Sequence, residues 1–249
     1  MNHKKSTKNQ VKTPSIPKDP SLEQLLKSPA LALGLAPLLF GLSQIVILGY
    51  NWIFKGYAGN LSLTVSRYVG LNLWTSILFA IFNTAITIIM FRYYLSLRKS
   101  RSTLWFILGC LESLSFLTLS FFPHNTFIED PGLRELVCQI HIKSAHVMFV
   151  SMFGMAIETF RLSRPNRLEP LQNLPLLKSP KRLLIPKNVA PICIAFIAYG
   201  VFYFTVYLTN WTAITNHILI LESGYIYAFM AFLILTRKIR PSDIEPLKQ

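Results

Sequence analysis

Three of the chain's five histidines, His124, His141 and His146, fall within one stretch, FFPHNTFIEDPGLRELVCQIHIKSAH, Phe121 to His146. Glu129, Asp130 and Glu135 lie in the same stretch. Two further acids, Glu112 in LGCLESLSF and Glu222 in ILILESGYIY, interrupt long apolar runs, and His217 precedes Glu222 by five residues. Imidazole nitrogens and carboxylate oxygens suit two kinds of chemistry. They ligate zinc, or they satisfy one another in a hydrogen-bonded network, the imidazole donating and the carboxylate accepting.

Spacing favours the network. A metal pair on one helix needs separations of three or four residues. His141 and His146 are five apart, which sets them about 140° apart around a regular helix. Both reach one metal only if His141 stays on a loop before the helix begins. His217 and Glu222 share that spacing. His124, His141, His146 and His217 are therefore weak zinc candidates, and no cofactor is expected. No G-x-S-x-G elbow marks a serine nucleophile, and no Gly-rich loop marks a phosphate site.

The elements that carry these residues are apolar. The chain of 249 residues is 52% hydrophobic and 14% charged, with a mean hydropathy of +0.42. Soluble domains carry about 25% charged residues. Six segments hold the roughly 20 apolar residues that a membrane helix requires: about 30–50, 69–91, 104–122, 141–160, 190–209 and 217–236. No strand-like alternation supports a barrel. The expected fold is all-α, a polytopic membrane protein with a six-transmembrane-helix bundle spanning 30–238. A basic, disordered cytosolic tail over 1–29 precedes it, too long for a signal-peptide n-region, and a cytosolic tail over 239–249 follows.

The net charge of +14 does not indicate nucleic-acid binding, because the basic residues sit in short blocks between apolar runs. The N-tail, the 92–103 turn, the 161–189 loop and the C-tail hold six, four, seven and four Lys and Arg. Only Lys55, Arg67, Arg134 and Lys143 fall on the opposite side. The positive-inside rule then places both termini in the cytosol, most naturally at the plasma membrane. The proline-rich 161–189 loop is expected to hug the inner leaflet, its basic residues facing anionic lipid. The three cysteines, Cys110, Cys138 and Cys193, form no disulfide or zinc framework.

Charge inside a bilayer costs about 2.5–3.5 kcal/mol per group on insertion scales, so intramembrane acids are informative. Counting rise per residue, Glu222 and His146 lie roughly 8 Å beneath the outer ends of their spans, and Glu112 roughly 15 Å beneath its own. The expected polar network of the outer half comprises His146, Glu222, His217, Glu112, His141 and Asn83. The Phe121–His146 stretch is its polar lid. On span two, Asn72, Ser76, Asn83 and Thr87 form a stripe within about 60° that should face the interior and hydrogen-bond across helices. Glu158, near the inner end of span four, is expected to snorkel or to pair with Arg161.

An outer-end Phe122-Pro123, a short polar loop, His146 or His141 early in the next span, and Glu222 in the final span (LESGYIY) together form a pattern. It resembles that of the bacterial membrane protein family known as domain of unknown function 998. The plan is also similar to the six-span DRAM-like autophagy modulators. The resemblance covers roughly 30–238 and implies a compact six-helix membrane protein with no assigned chemistry. The expected role is non-catalytic, lipid-interacting or regulatory. A metal-dependent hydrolase acting on lipid is the first alternative, and a proton-coupled transporter using Glu112 and Glu222 is the second.

Overall fold

The computed structural model describes residues 28–56, 61–98, 101–123, 128–163, 189–209 and 216–237. The basic N-tail up to residue 27, the C-tail, most of the 161–189 loop and His124 lie outside the described residues. Within them all regular structure is helical. The helices are α1 (Pro29–Ala32), α2 (Leu35–Phe54), α3 (Val65–Val69), α4 (Leu73–Leu97), α5 (Thr103–Phe121), α6 (Pro131–Leu162), α7 (Val189–Thr209) and α8 (Ile218–Arg237). Six helical segments are long and apolar enough to cross a membrane, α1 and α2 together forming the first. The fold is that of an all-α, multi-pass membrane protein.

The spans over α5, α7 and α8 fall within a residue of their expected bounds. The other differences have local causes. α6 begins ten residues earlier than the expected 141, because Asp130 caps it, accepting from the Leu133 amide at 2.6 Å, and Pro131 fills its first position. Proline fits there because the first turn has no intrahelical acceptor for an amide. At 32 residues and 1.5 Å per residue, α6 exceeds the hydrocarbon thickness of about 30 Å. Its first turns are mostly exposed, and hydropathy alone therefore reads them as loop. The expected lid is thus largely helix. α4 starts at Leu73 rather than 69, because Gly70 ends the short helix α3. Asn72 then caps α4 by accepting from Thr75 N at 2.9 Å. Asn72 therefore sits at the terminus of α4, and its Nδ2 donates across helices to Asn51 Oδ1 of α2 at 3.3 Å, as the stripe predicts.

Sequence neighbours are also spatial neighbours. α5 packs between α4 and α6, α2 lies against α4, α7 against α6 and α8 against α7, and α8 returns to α2 and α3. Short connections in an up-and-down bundle favour this order. Large rings fill the interior: Phe149 and Tyr203 have centroids 5.4 Å apart, and Tyr203 stacks on Tyr225 at 5.5 Å. Small residues permit this approach, as is usual between membrane helices. A Cβ on Gly109 would lie 2.9 Å from the Tyr94 ring. Large apolar residues such as Leu38, Ile45, Ile81, Leu114, Val150 and Ile220 point outward, which suits a lipid solvent.

Candidate polar cavity at the α3 end of the bundle

Glu222 lies in the second turn of α8, half-buried. Its Oε2 accepts a hydrogen bond from the Val65 amide at 2.9 Å. Val65 opens α3, where Thr64 is the cap and accepts from the Arg67 amide at 3.3 Å. The short helix between the first two spans thus ties the final span to the connection that carries it, and it presents Arg67 to the cavity that Glu222 lines.

These groups line one cavity of about 210 Å³. α3 and its cap contribute Thr64, Ser66 and Arg67; α6 contributes His141, Ile142, Ala145, His146 and Phe149; α7 contributes Tyr203, Phe204 and Tyr207; α8 contributes Glu222. The α6 residues recur at three- and four-residue steps, so they share one broad face. His141 and His146 flank that face, and both border the cavity although they point well apart. Phe204 also lines an adjoining apolar groove of about 250 Å³ with Val150, Phe153, Val201, Thr205 and Leu208.

His141 is buried, and its Nδ1 donates to the Phe122 carbonyl at 2.7 Å. A carbonyl only accepts, so the proton lies on Nδ1 in this pairing. His146 is exposed. It shares the cavity with Glu222, and no direct hydrogen bond joins them. Among the described residues no three His, Cys, Asp or Glu side chains come together as a metal site.

The remaining candidates lie elsewhere. Glu112 is fully buried on α5, and its Oε2 accepts from Tyr94 at 3.0 Å and from Ser113 at 3.4 Å. His217 is exposed in the turn before α8. Asn83 is fully buried, as the stripe predicts, with Ser76 and Thr87 nearly so. Neither polar atom of its side chain has a partner, so the expected interhelical hydrogen bond at Asn83 is not made. Ser76 instead bonds to the Val69 carbonyl at 2.9 Å. Arg67, Tyr203 and Tyr207 are not among the expected network residues. The available signals are that Arg67 is one of four Lys and Arg outside the basic blocks, and that the tyrosines form an i, i+4 pair within an apolar span.

A second polar cluster stands at the opposite, basic end. Glu158 is buried, accepting from Arg161 Nε and Nη2, each at 2.6 Å, and from Ser102 Oγ at 2.5 Å. The pairing with Arg161 matches the sequence; the depth of burial and the link to Ser102, the cap of α5, do not follow from it.

Comparison with protein families, characterised proteins and solved structures gives no match to this chain.

Proposed function

We propose that this is a non-catalytic membrane protein that holds an amphiphile with a zwitterionic, phosphate-plus-ammonium headgroup in the cavity between α3, α6, α7 and α8. The carrying observation is that Arg67 and Glu222, of opposite charge, line the same small cavity beside the Tyr203, Phe204 and Tyr207 rings. A guanidinium suits a phosphate. A carboxylate with aromatic faces suits an ammonium, including a quaternary one. About 210 Å³ is below the roughly 300–1,000 Å³ usual for whole ligands and matches a headgroup. The apolar groove that shares Phe204 is placed to take an alkyl chain.

The Lys and Arg distribution supports an orientation with both termini in the cytosol, at the plasma membrane, which puts this cavity in the extracytoplasmic half. The basic inner loop then faces anionic lipid. A binding role also fits the geometry, because Glu222 and His141 are already anchored by backbone groups. Binding of lysophosphatidylcholine to the detergent-purified chain, followed by native mass spectrometry, tests the reading. Glu222→Gln and Arg67→Gln should each weaken retention about tenfold, one charge-assisted contact each. Retention unchanged in both variants overturns it.

A further inference from the structure

The basic end of the bundle contains a buried cation that forms no ion pair among the described residues. Arg101, in the turn between α4 and α5, is 4% exposed. Its guanidinium carbon sits 5.2 Å from the Trp105 ring centroid, against the first turn of α5, and its Nη1 has no hydrogen-bond partner. Guanidinium groups do not deprotonate in proteins, so burial cannot be relieved by loss of the proton. Glu158 is close enough to act on Arg101 electrostatically, yet both of its oxygens are engaged by Arg161. Among the described residues, two buried guanidinium groups thus face one carboxylate. An isolated buried ion costs several kcal/mol, and a fold retains such a group where something else satisfies it.

Three neighbouring features share one preference. α5 is a 19-residue helix whose N-terminal turn lies against Arg101. The Thr103 and Leu104 amides belong to that turn, where no intrahelical acceptor exists, and a helix N-terminus attracts anions. Exposed Arg98 lies over Phe106, in the same turn, at 5.7 Å. We infer that Arg101, Arg98 and the N-terminal turn of α5 form a binding site for a phosphate-bearing anion. This site is separate from the cavity beside Glu222 and does not depend on that reading. At the basic face of the bundle, the chemistry fits an anionic phospholipid headgroup or free phosphate. Arg98 would meet the phosphate at the surface, and Arg101 would neutralise it from inside.

The test uses the full chain purified in neutral detergent. The probes are dioleoylphosphatidylglycerol in mixed micelles, inorganic phosphate, and dioleoylphosphatidylcholine as the zwitterionic control. Melting temperature and native mass spectrometry provide the readouts. Phosphatidylglycerol should raise the melting temperature and phosphatidylcholine should not. Arg101→Gln should weaken phosphatidylglycerol binding about tenfold or more, as loss of a charge-assisted contact implies, with Arg98→Gln a smaller loss. Without lipid, Arg101→Gln should be no less stable than the parent, which a merely structural arginine would not allow. Equal stabilisation by inorganic phosphate supports the site and assigns free phosphate as its source. No response of the parent chain to either anion overturns the proposal. So does undiminished binding in Arg101→Gln. If that variant cannot be recovered folded, undiminished binding in Arg98→Gln, whose exposed side chain leaves folding intact, is equally decisive.

Discussion

Glu158→Gln is expected to be among the most destabilising single substitutions in the bundle. The carboxylate is 3% exposed and accepts two bonds from Arg161 and one from Ser102. Glutamine keeps the volume but removes the charge and turns an amide donor toward groups that are themselves donors. Arg161 would then lose its ionic partner, and Arg101 its nearest described negative charge. Breaking a buried pair from one side costs about 3–5 kcal/mol, because the surviving charge stays buried. Ser102 would also lose its acceptor, loosening the contact between the cap of α5 and the last turns of α6. Equilibrium unfolding of the purified chain in mixed detergent micelles measures the loss. The double variant Glu158→Met with Arg161→Met should recover most of it, since replacing both members of such a pair by apolar groups is often near neutral. A loss below about 1 kcal/mol in Glu158→Gln would refute the reasoning, because that is the range of a solvent-screened surface pair.

Asn83→Leu should change stability by less than about 1 kcal/mol or raise it, since neither side-chain polar atom makes a bond that leucine would break; a loss above about 2 kcal/mol in the same unfolding assay would show an interaction at this site. Gly109→Ala should destabilise by about 1–3 kcal/mol, as overpacking does, because the new Cβ meets the Tyr94 ring at 2.9 Å, and it should displace the Tyr94 hydroxyl from Glu112. Tyr94→Phe, which leaves Gly109 unobstructed, separates the two effects. Cysteine introduced at position 98 should be labelled from the cytosol, and cysteine at position 130 only from the other side. Labelling of position 130 from the cytosol would reverse the orientation.

The spans were legible because hydropathy reports lipid exposure directly. Thr103–Phe121, Val189–Thr209 and Ile218–Arg237 follow from apolar runs alone. Pro131–Ile140 carries no membrane signature in its exposed polar turns, so hydropathy misses this helical stretch although Asp130-Pro131 is a helix-start signal. For the site, depth along each helix is countable from sequence, and His141, His146 and Glu222 do line one cavity. Rotation about each axis and packing between helices are not countable. Glu112, expected in the outer-half network although deeper than His146 and Glu222, instead accepts from Tyr94 on the adjacent helix. Arg67 is not legible as a site residue because a five-residue helix between the first two spans, Val65–Val69, carries it to the cavity that Glu222 lines. Glu158 looked like an ordinary interfacial acid because nothing in the sequence brings Ser102 to it.

Covalent capture of the ligand in a bilayer tests the occupancy of the cavity most directly. Lysophosphatidylcholine carrying a photoactivatable diazirine on its alkyl chain would be cross-linked to the chain in nanodiscs, and the adducts mapped by mass spectrometry. Adducts should concentrate on Phe153 and Phe204, the half-buried walls of the groove beside the cavity, and should fall sharply in Glu222→Gln. Adducts spread evenly over outward-facing residues such as Ile45, Ile81 and Leu114, with Glu222→Gln unchanged, would mean that the lipid is only solvent and the cavity holds no headgroup.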